Sequence, residues 1–194
     1  MRLGPLSETG PERTAAIERL MSRRGAIRGP FAVWVRRPGL SDVMERLGTY
    51  CTSESALPPR VREVTLLVTA RHFDTPHSWN AHVDAAVAAG TEPAALRRLA
   101  RRREPDFSDP SDRLVHRFVT DLLAGHAVED DVYAAALERF GEGGLIDLVA
   151  SVGTFTLFAL ALNAFQVDQP DSGPPAFQEP GATRGAAEES EVRR

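Results

Sequence analysis

Apolar residues along this chain recur three and four positions apart in segment after segment, which is the spacing of one face of an α-helix. No segment shows the sustained alternation of apolar and polar residues that is typical of a strand. The pattern predicts about eight helices and no sheet, and therefore an all-α fold. The predicted helices are 11–24, 42–50, one that begins at Pro59, 76–89, 92–102, one from Ser108 or Ser111 to Gly125, 130–140 and 144–167.

Helix starts and ends are marked by capping residues, proline and glycine. Ser41 and Thr91 are predicted N-caps, and Thr75 with Pro76 is a strong helix start. Gly141 is predicted to end the helix that begins at Asp130. The helix that begins at Pro59 has apolar residues on more than one face, so we expect it to be buried nearly all round.

The stretch from Leu145 to Phe165 is apolar enough to require comparison with a membrane span. Asp147 and Asn163 interrupt it, and the uninterrupted apolar run is shorter than the roughly 18 residues that a span needs. We therefore expect a buried central helix and no membrane partner.

Composition narrows the class further. The chain has 194 residues, 42% hydrophobic and 26% charged, with a net charge of −4, which is ordinary for one globular domain. It lacks the concentrated basic face of a nucleic-acid-binding protein, and the arginine-rich run 97–103 is interpreted as a solvated helix end or an anion or partner contact. Cys51 is the sole cysteine, so no intrachain disulfide can form, and a cytoplasmic location is expected.

The densest group of polar residues is at the start of the helix that follows Thr75. Ser78 and His82 are four residues apart and share a helix face. His77 and His82 are about 140° apart around the helix, so this pair chelates one metal poorly and no metal site is expected. Trp79 is interpreted either as a core or interface residue or as a surface on which a ligand stacks. Asn80 completes the group of candidate binding residues.

The ordered series of motifs resembles the carboxymuconolactone decarboxylase-like family, within the alkylhydroperoxidase-D-like superfamily. The resemblance implies an all-α, single-domain helical bundle that assembles into homo-oligomers (a dimer, trimer or hexamer). The resemblance covers the helical domain (28–168), which follows an N-terminal arm and helix (1–27). The proline-rich composition of residues 169–194 predicts a disordered or wrapping tail. The matching stretches are Gly29-Pro30-Phe31, Leu57-Pro58-Pro59-Arg60-Val61-Arg62-Glu63, Ala70-Arg71-His72, Trp79-x-x-His82, Ala85 with Ala88 and Gly90, Phe140-Gly141-Glu142, Leu145-x-x-Leu148-Val149, Gly153 and Leu162-Asn163-x-Phe165.

The resemblance implies a site on the helix that carries His82. One branch of the superfamily has Cys-x-x-Cys-x-x-x-His there, and its cysteines fall at Thr75 and Ser78, so thiol peroxidase activity is not expected. The other branch has Glu-Trp-x-x-His, and Ser78 stands where its acid would be. Glu63 matches a family acid and is interpreted either as the partner of His82 or as the partner of Arg62 or Arg71 in a buried salt bridge.

Two functions are therefore expected from different classes. The first is a cofactor-free lyase or isomerase that acts on a small carboxylated or lactone-like metabolite, as in a tailoring step of secondary metabolism. His82 and Glu63 are its candidate catalytic residues, and His77, Ser78, Trp79 and Asn80 its candidate substrate-binding residues. The alternative is a non-catalytic oligomeric member of the same fold that binds a ligand or a partner. A pocket with a perturbed His82 favours the enzyme, and a filled pocket favours the binding protein.

Overall fold

The structure, a computed structural model, describes residues 1–6, 10–167 and 177. Within these residues it contains eight α-helices, one π-helical turn and no strand, which confirms the all-α prediction. The helices are α1 (Pro11–Arg24), α2 (Phe31–Trp34), α3 (Pro38–Thr49), α4 (Pro59–His72), α5 (Pro76–Ala88), α6 (Pro93–Ala100), α7 (Pro110–Gly125) and α8 (Asp130–Phe165), and the π-helical turn is Tyr50–Glu54.

Proline sets the start of most of these helices. Six of them, α1 and α3 to α7, have proline in their first turn, where its missing N–H is not needed for a hydrogen bond. Two predicted caps are therefore wrong: Ser41 lies buried inside α3, which begins at Pro38, and Glu92 rather than Thr91 precedes α6. Neither α3 nor α6 has a side-chain cap, and proline, whose fixed φ suits the first helical turn, marks both starts.

The predicted break at Gly141 is confirmed, although the chain re-enters a helix at once. Gly141 has φ 68° and ψ 176°, a backbone conformation that glycine adopts without a Cβ penalty. The two predicted helices 130–140 and 144–167 are consequently the two halves of α8.

The helix α4 lies at the centre of the fold and packs against α5, α7 and α8. Its residues from Val64 to Ala70 are all buried, which matches the prediction of an all-round buried helix. The first core cluster joins α4 to the buried faces of α5, α6, α7 and the part of α8 up to Val152. Trp79 and Phe118 are among its largest fully buried side chains.

A second core cluster includes Leu66 from the middle of α4. It brings α1, α2 and α3 against the second half of α8, with Phe31, Trp34 and Phe158 in mutual edge-to-face contact. The N-terminal arm packs against this cluster through Met1 and Leu3. The candidate site lies beside this second cluster.

The long helix α8 is the one described helix whose length and composition would allow it to cross a membrane. The mean hydropathy of its most apolar window is 2.0, and 61% of that window is buried inside the protein. Burial of this kind is typical of the central helix of a globular core.

The proline-rich segment 169–194 lies outside the described residues except for Phe177. The Phe177 ring packs 6.0 Å from the Trp79 ring, centroid to centroid, and the Arg71 guanidinium lies 4.1 Å from its centroid. The disorder or wrapping of this segment stays a prediction.

Candidate functional site

The candidate site is built on a contact between α4 and α5. His82, on α5, places its ring Nδ1 2.9 Å from Oε2 of Glu63, on α4. The two side chains are partly buried, at 22% and 14% exposure. The α4–α5 packing thus joins two residues that are 19 positions apart in sequence.

This contact decides between the two interpretations of Glu63. Arg62 donates a hydrogen bond to the carbonyl oxygen of Leu57 at 3.0 Å. Arg71 donates one to the carbonyl oxygen of Ala100 and forms an ion pair with Asp74. Both arginines are therefore committed elsewhere, and the interpretation of Glu63 as their salt-bridge partner is wrong.

The Glu63 contact also fixes the state of the His82 ring. A carboxylate can only accept hydrogen bonds, so Nδ1 of His82 donates this one and carries the proton. Nε2 is then the ring nitrogen that remains to exchange a proton with a substrate, as in other carboxylate–histidine pairs.

His82 lines a cavity of about 560 Å³. This volume lies within the usual range for sites that bind small molecules. The candidate binding residues His77, Ser78 and Asn80 line the same cavity. The structure therefore brings four of the six predicted site residues together around one open space.

An aromatic wall faces these polar residues across the cavity. It consists of Phe31 from α2 and of Phe155 and Phe158 from α8. The Phe155 ring lies 5.9 Å from the His82 ring in an edge-to-face arrangement, and 5.3 Å from the Phe158 ring. The wall gives His82 a partly apolar surrounding, in which hydrogen bonds and charges act more strongly than in water.

Two arginines stand where the cavity meets solvent. Arg24 and Arg28 are both exposed and both line the cavity. The Arg24 guanidinium lies 4.1 Å from the Phe31 ring centroid, and partial burial lowers its pKa. Among the described residues that line the cavity none is acidic, so the site combines positive charge with an aromatic surface.

His77 is held against the backbone at Gly29. Gly29 has φ 56°, and a Cβ at this position would overlap the His77 ring. Burial lowers the pKa of His77, and the neighbouring His82 and Arg28 charges lower it further. The imidazole of His77 is therefore held toward its neutral form, beside the Glu63–His82 pair.

We expect the His77 ring to titrate below the ordinary histidine value of about 6.5. Its lowered pKa means that the unfolded chain binds the proton more tightly than the folded one does. The contribution of a neutral His77 to the free energy of unfolding is therefore fully present above about pH 6.5 and is lost as the pH falls below that value. NMR titration of the ring signals measures the pKa, and thermal melting between pH 7.5 and 5 measures the stability.

His72 and His116, whose pKa values are also lowered by burial, contribute to the same loss. Single His→Gln variants assign the ring signals. A His77 midpoint above 6.5 would contradict the prediction.

The position of Trp79 contradicts the prediction that it binds substrate. Its side chain is 0% exposed and lies in the first core cluster, against Phe177, rather than in the cavity wall. Residues 77, 78, 80 and 82 face the cavity, whereas the side chain of residue 79 is buried in the first core cluster.

The two positions that match the superfamily's cysteines lie in different surroundings. Thr75 is buried and donates a hydrogen bond to the carbonyl oxygen of Ala70 at 3.1 Å, whereas Ser78 reaches the cavity. Cys51 is 1% exposed, and its Sγ lies 3.4 Å from Oγ1 of Thr154. In the described part of the chain, no group of three or more His, Cys, Asp or Glu residues is placed to hold a metal ion.

The sequence pattern does not indicate the cavity residues that lie outside α5. Arg24 and Arg28 flank the turn between α1 and α2, and Phe158 lies on α8, far from His82 in sequence. Helical periodicity indicates that Phe158 is buried, but it does not indicate which cavity its ring borders. The Gly29-Pro30 pair indicates a turn, but the sequence does not indicate that φ of Gly29 is positive.

Comparison with known proteins identifies the fold. No family model matches the chain. A DNA mismatch repair protein MutL from Afipia carboxidovorans is 29% identical over 119 residues, which is 59% of this chain, and the chain spans 19% of that protein's length. The structure of an uncharacterized peroxidase-related protein from Silicibacter sp. TM1040 superposes with a TM-score of 0.66 at 16% identity, over 92% of this chain and 93% of that one. The chain therefore has an all-α helical fold of the alkylhydroperoxidase-D-like type.

Proposed function

We propose that this protein is a cofactor-free lyase or isomerase that moves a proton on a small anionic metabolite, such as a carboxylated lactone in secondary metabolism. The observation that carries the proposal is the Glu63–His82 pair, whose histidine lines an open cavity of about 560 Å³. Histidine is the side chain that most often transfers protons in enzymes, and a neighbouring carboxylate can orient it and stabilise its charged form.

The substrate's charge is inferred from the cavity rim. Arg24 and Arg28 supply two guanidinium groups, and guanidinium binds carboxylate groups through paired hydrogen bonds. The ring or chain of the substrate would then lie against Phe31, Phe155 and Phe158, with its reacting carbon near His82.

The proposed step needs no cofactor. In an isomerisation, Nε2 of His82 removes a proton from the carbon beside a carbonyl group and returns it to a second carbon. In a decarboxylation, the bond to the carboxyl carbon breaks, carbon dioxide leaves and His82 protonates the carbon that keeps the electron pair. Glu63 accepts the hydrogen bond from Nδ1 in both cases and stabilises the imidazolium.

The alternative is a non-catalytic member of the fold that binds the same kind of ligand. It is favoured by Ser78, which reaches the cavity where the decarboxylase-like branch has an acid. A thiol peroxidase is disfavoured because Cys51 is buried and does not line the cavity. Ligand binding without turnover would identify the non-catalytic alternative.

Proton exchange with solvent tests the proposal without knowledge of the natural substrate. The protein is incubated in D₂O with a panel of small carboxylated lactones and β-keto acids, with no cofactor and with EDTA present. We expect deuterium to enter the carbon beside the carbonyl group of at least one compound. NMR spectroscopy detects the exchange, and no exchange above the protein-free rate across the panel would contradict the enzyme.

The double variant Arg24→Ala/Arg28→Ala is expected to weaken the binding of the active compound by about tenfold or more, since each exposed charged contact contributes modestly. Turnover at saturation should change little, because neither arginine touches the reacting carbon. Arg19→Ala/Arg37→Ala, at two other exposed arginines that do not line the cavity, is the matched control. Equal effects of both double variants would contradict a role for the rim.

A further inference from the structure

The second half of α8 presents apolar side chains to solvent along one face. Ile146 is 60% exposed, Val149 46%, Leu157 41% and Leu160 52%. At Gly153, in the middle of this face, no described atom outside the helix would lie within 4 Å of an added Cβ. We call these five positions the α8 stripe.

The spacing of the stripe is symmetric about Gly153. Val149 and Leu157 are four residues before and after it, and Ile146 and Leu160 are seven residues before and after it. At 3.6 residues per turn, all four directions fall within about 40° of the Gly153 direction. The stripe is straight and reads the same in both directions along the helix.

Such a stripe is complementary to a second copy of itself in the antiparallel orientation. With a two-fold axis at Gly153, Ile146 of one copy faces Leu160 of the other, and Val149 faces Leu157. The missing side chain at Gly153 lets the two backbones approach closely at the crossing point. A two-fold interface requires this kind of self-complementarity.

Charge at the two ends of the stripe agrees with the same pairing. Glu142 lies eleven residues before Gly153, and Ala164 eleven residues after it. Arg2 donates a hydrogen bond from Nη1 to the carbonyl oxygen of Ala164 at 3.2 Å, and both Arg2 and Glu142 are exposed. In the antiparallel pair, the carboxylate of Glu142 therefore approaches the guanidinium of Arg2 from the other copy, twice per dimer.

We propose that the protein forms a two-fold symmetric dimer through the α8 stripe, with the axis at Gly153 and Glu142–Arg2 ion pairs at both ends. This inference does not depend on the proposed chemistry, because the stripe faces away from the cavity that His82 lines.

Disulfide cross-linking tests the axis in the full-length chain. Gly153→Cys places two thiols on the axis, within the Cα separation of up to about 7 Å that a disulfide allows. Ile146→Cys is the matched control, because the same pairing puts its two thiols about 20 Å apart. We expect a covalent dimer from Gly153→Cys alone on oxidation, seen by non-reducing electrophoresis. Cross-linking of Ile146→Cys, or of neither variant, would overturn the proposed geometry.

Solution mass tests the surface. We expect light scattering at micromolar concentration to give about twice the 21.1 kDa chain mass for the wild type. Val149→Glu should raise the dissociation constant by about 100-fold, because it buries two unpaired charges, whereas Val43→Glu, at an exposed position on α3, should not. Both positions are exposed in one chain, so neither variant should unfold it.

Charge reversal separates this pairing from other partners. Glu142→Arg and Arg2→Glu should each weaken the dimer, and the two changes together should restore it. A wild-type monomer, a dimer that survives Val149→Glu, or binding of the monomer to phosphatidylcholine vesicles through the stripe would overturn the proposal. The last result would assign the stripe to a lipid surface.

Discussion

Replacing His82 with alanine is expected to lower turnover of the active compound by about 100-fold or more, the usual scale for loss of a general acid–base group. The Nδ1 atom of the His82 imidazole lies 2.9 Å from a carboxylate oxygen of Glu63. Alanine supplies no group that can exchange a proton. Turnover is measured as deuterium exchange or product formation per folded molecule.

Two variants control for the loss of the Glu63 contact. His82→Gln keeps an N–H group that can donate to Glu63 but cannot carry a proton between carbons, so turnover should fall as far as in His82→Ala. Ser78→Ala removes a hydroxyl that can only position a substrate, and it should lower turnover much less.

Thermal melting of the same preparations separates catalysis from packing. If His82 only links α4 to α5, His82→Ala would lower the melting temperature and leave turnover per folded molecule unchanged. That pair of results would contradict the proposed function while leaving the fold intact. The double variant Arg24→Ala/Arg28→Ala would then report on ligand binding alone.

Trp79→Ala should show the largest loss of stability among the residues of the site helix, about 3–5 kcal/mol, because its side chain is 0% exposed in the first core cluster. A loss of this size is a large part of the stability of an ordinary domain. We expect a melting temperature lower by about 10 °C, at the scale of 2–4 °C per kcal/mol for a domain of this size. Differential scanning calorimetry and urea unfolding measure the change.

Trp79→Phe retains most of the buried volume and should recover most of the stability. Ser78→Ala, at the adjacent position, is the matched surface control. If Trp79→Ala abolished ligand binding without a change in melting temperature, Trp79 would contact the ligand after all, and the packing in the structure would be contradicted.

The local elements of this fold follow from the sequence because their signals are local. Pro59 and Pro76 mark two helix starts because proline fixes its own φ angle. Gly141 marks the break inside α8 because glycine can adopt a positive φ angle. The errors at Ser41 and Thr91 have the same origin. A nearby proline begins each helix without a side-chain cap, and a polar residue beside it is then free to be buried.

For the candidate site, too, local spacing predicts part of the arrangement and helix packing decides the rest. His82, Ser78 and Asn80 are grouped by one helix, so helical spacing alone places them together. The resemblance to a family suggested Glu63, but the residues alone left Arg62 and Arg71 as equally good partners for its carboxylate. Only the packing of α4 against α5 decided that Glu63 meets His82 at 2.9 Å, because a contact between helices depends on how both are rotated.

The sequence by itself determined the helical class, the order of the helices and the group of polar residues on α5, since these depend on backbone preferences and on a period of 3.6 residues. The tertiary structure alone decided that Arg24, Arg28, Phe155 and Phe158 border the same cavity as His82, and that Trp79 is directed into the core. Residues far apart in the chain meet only through the packing of whole helices, which minimises exposed apolar surface over the entire molecule. A local sequence pattern does not indicate how whole helices pack against one another.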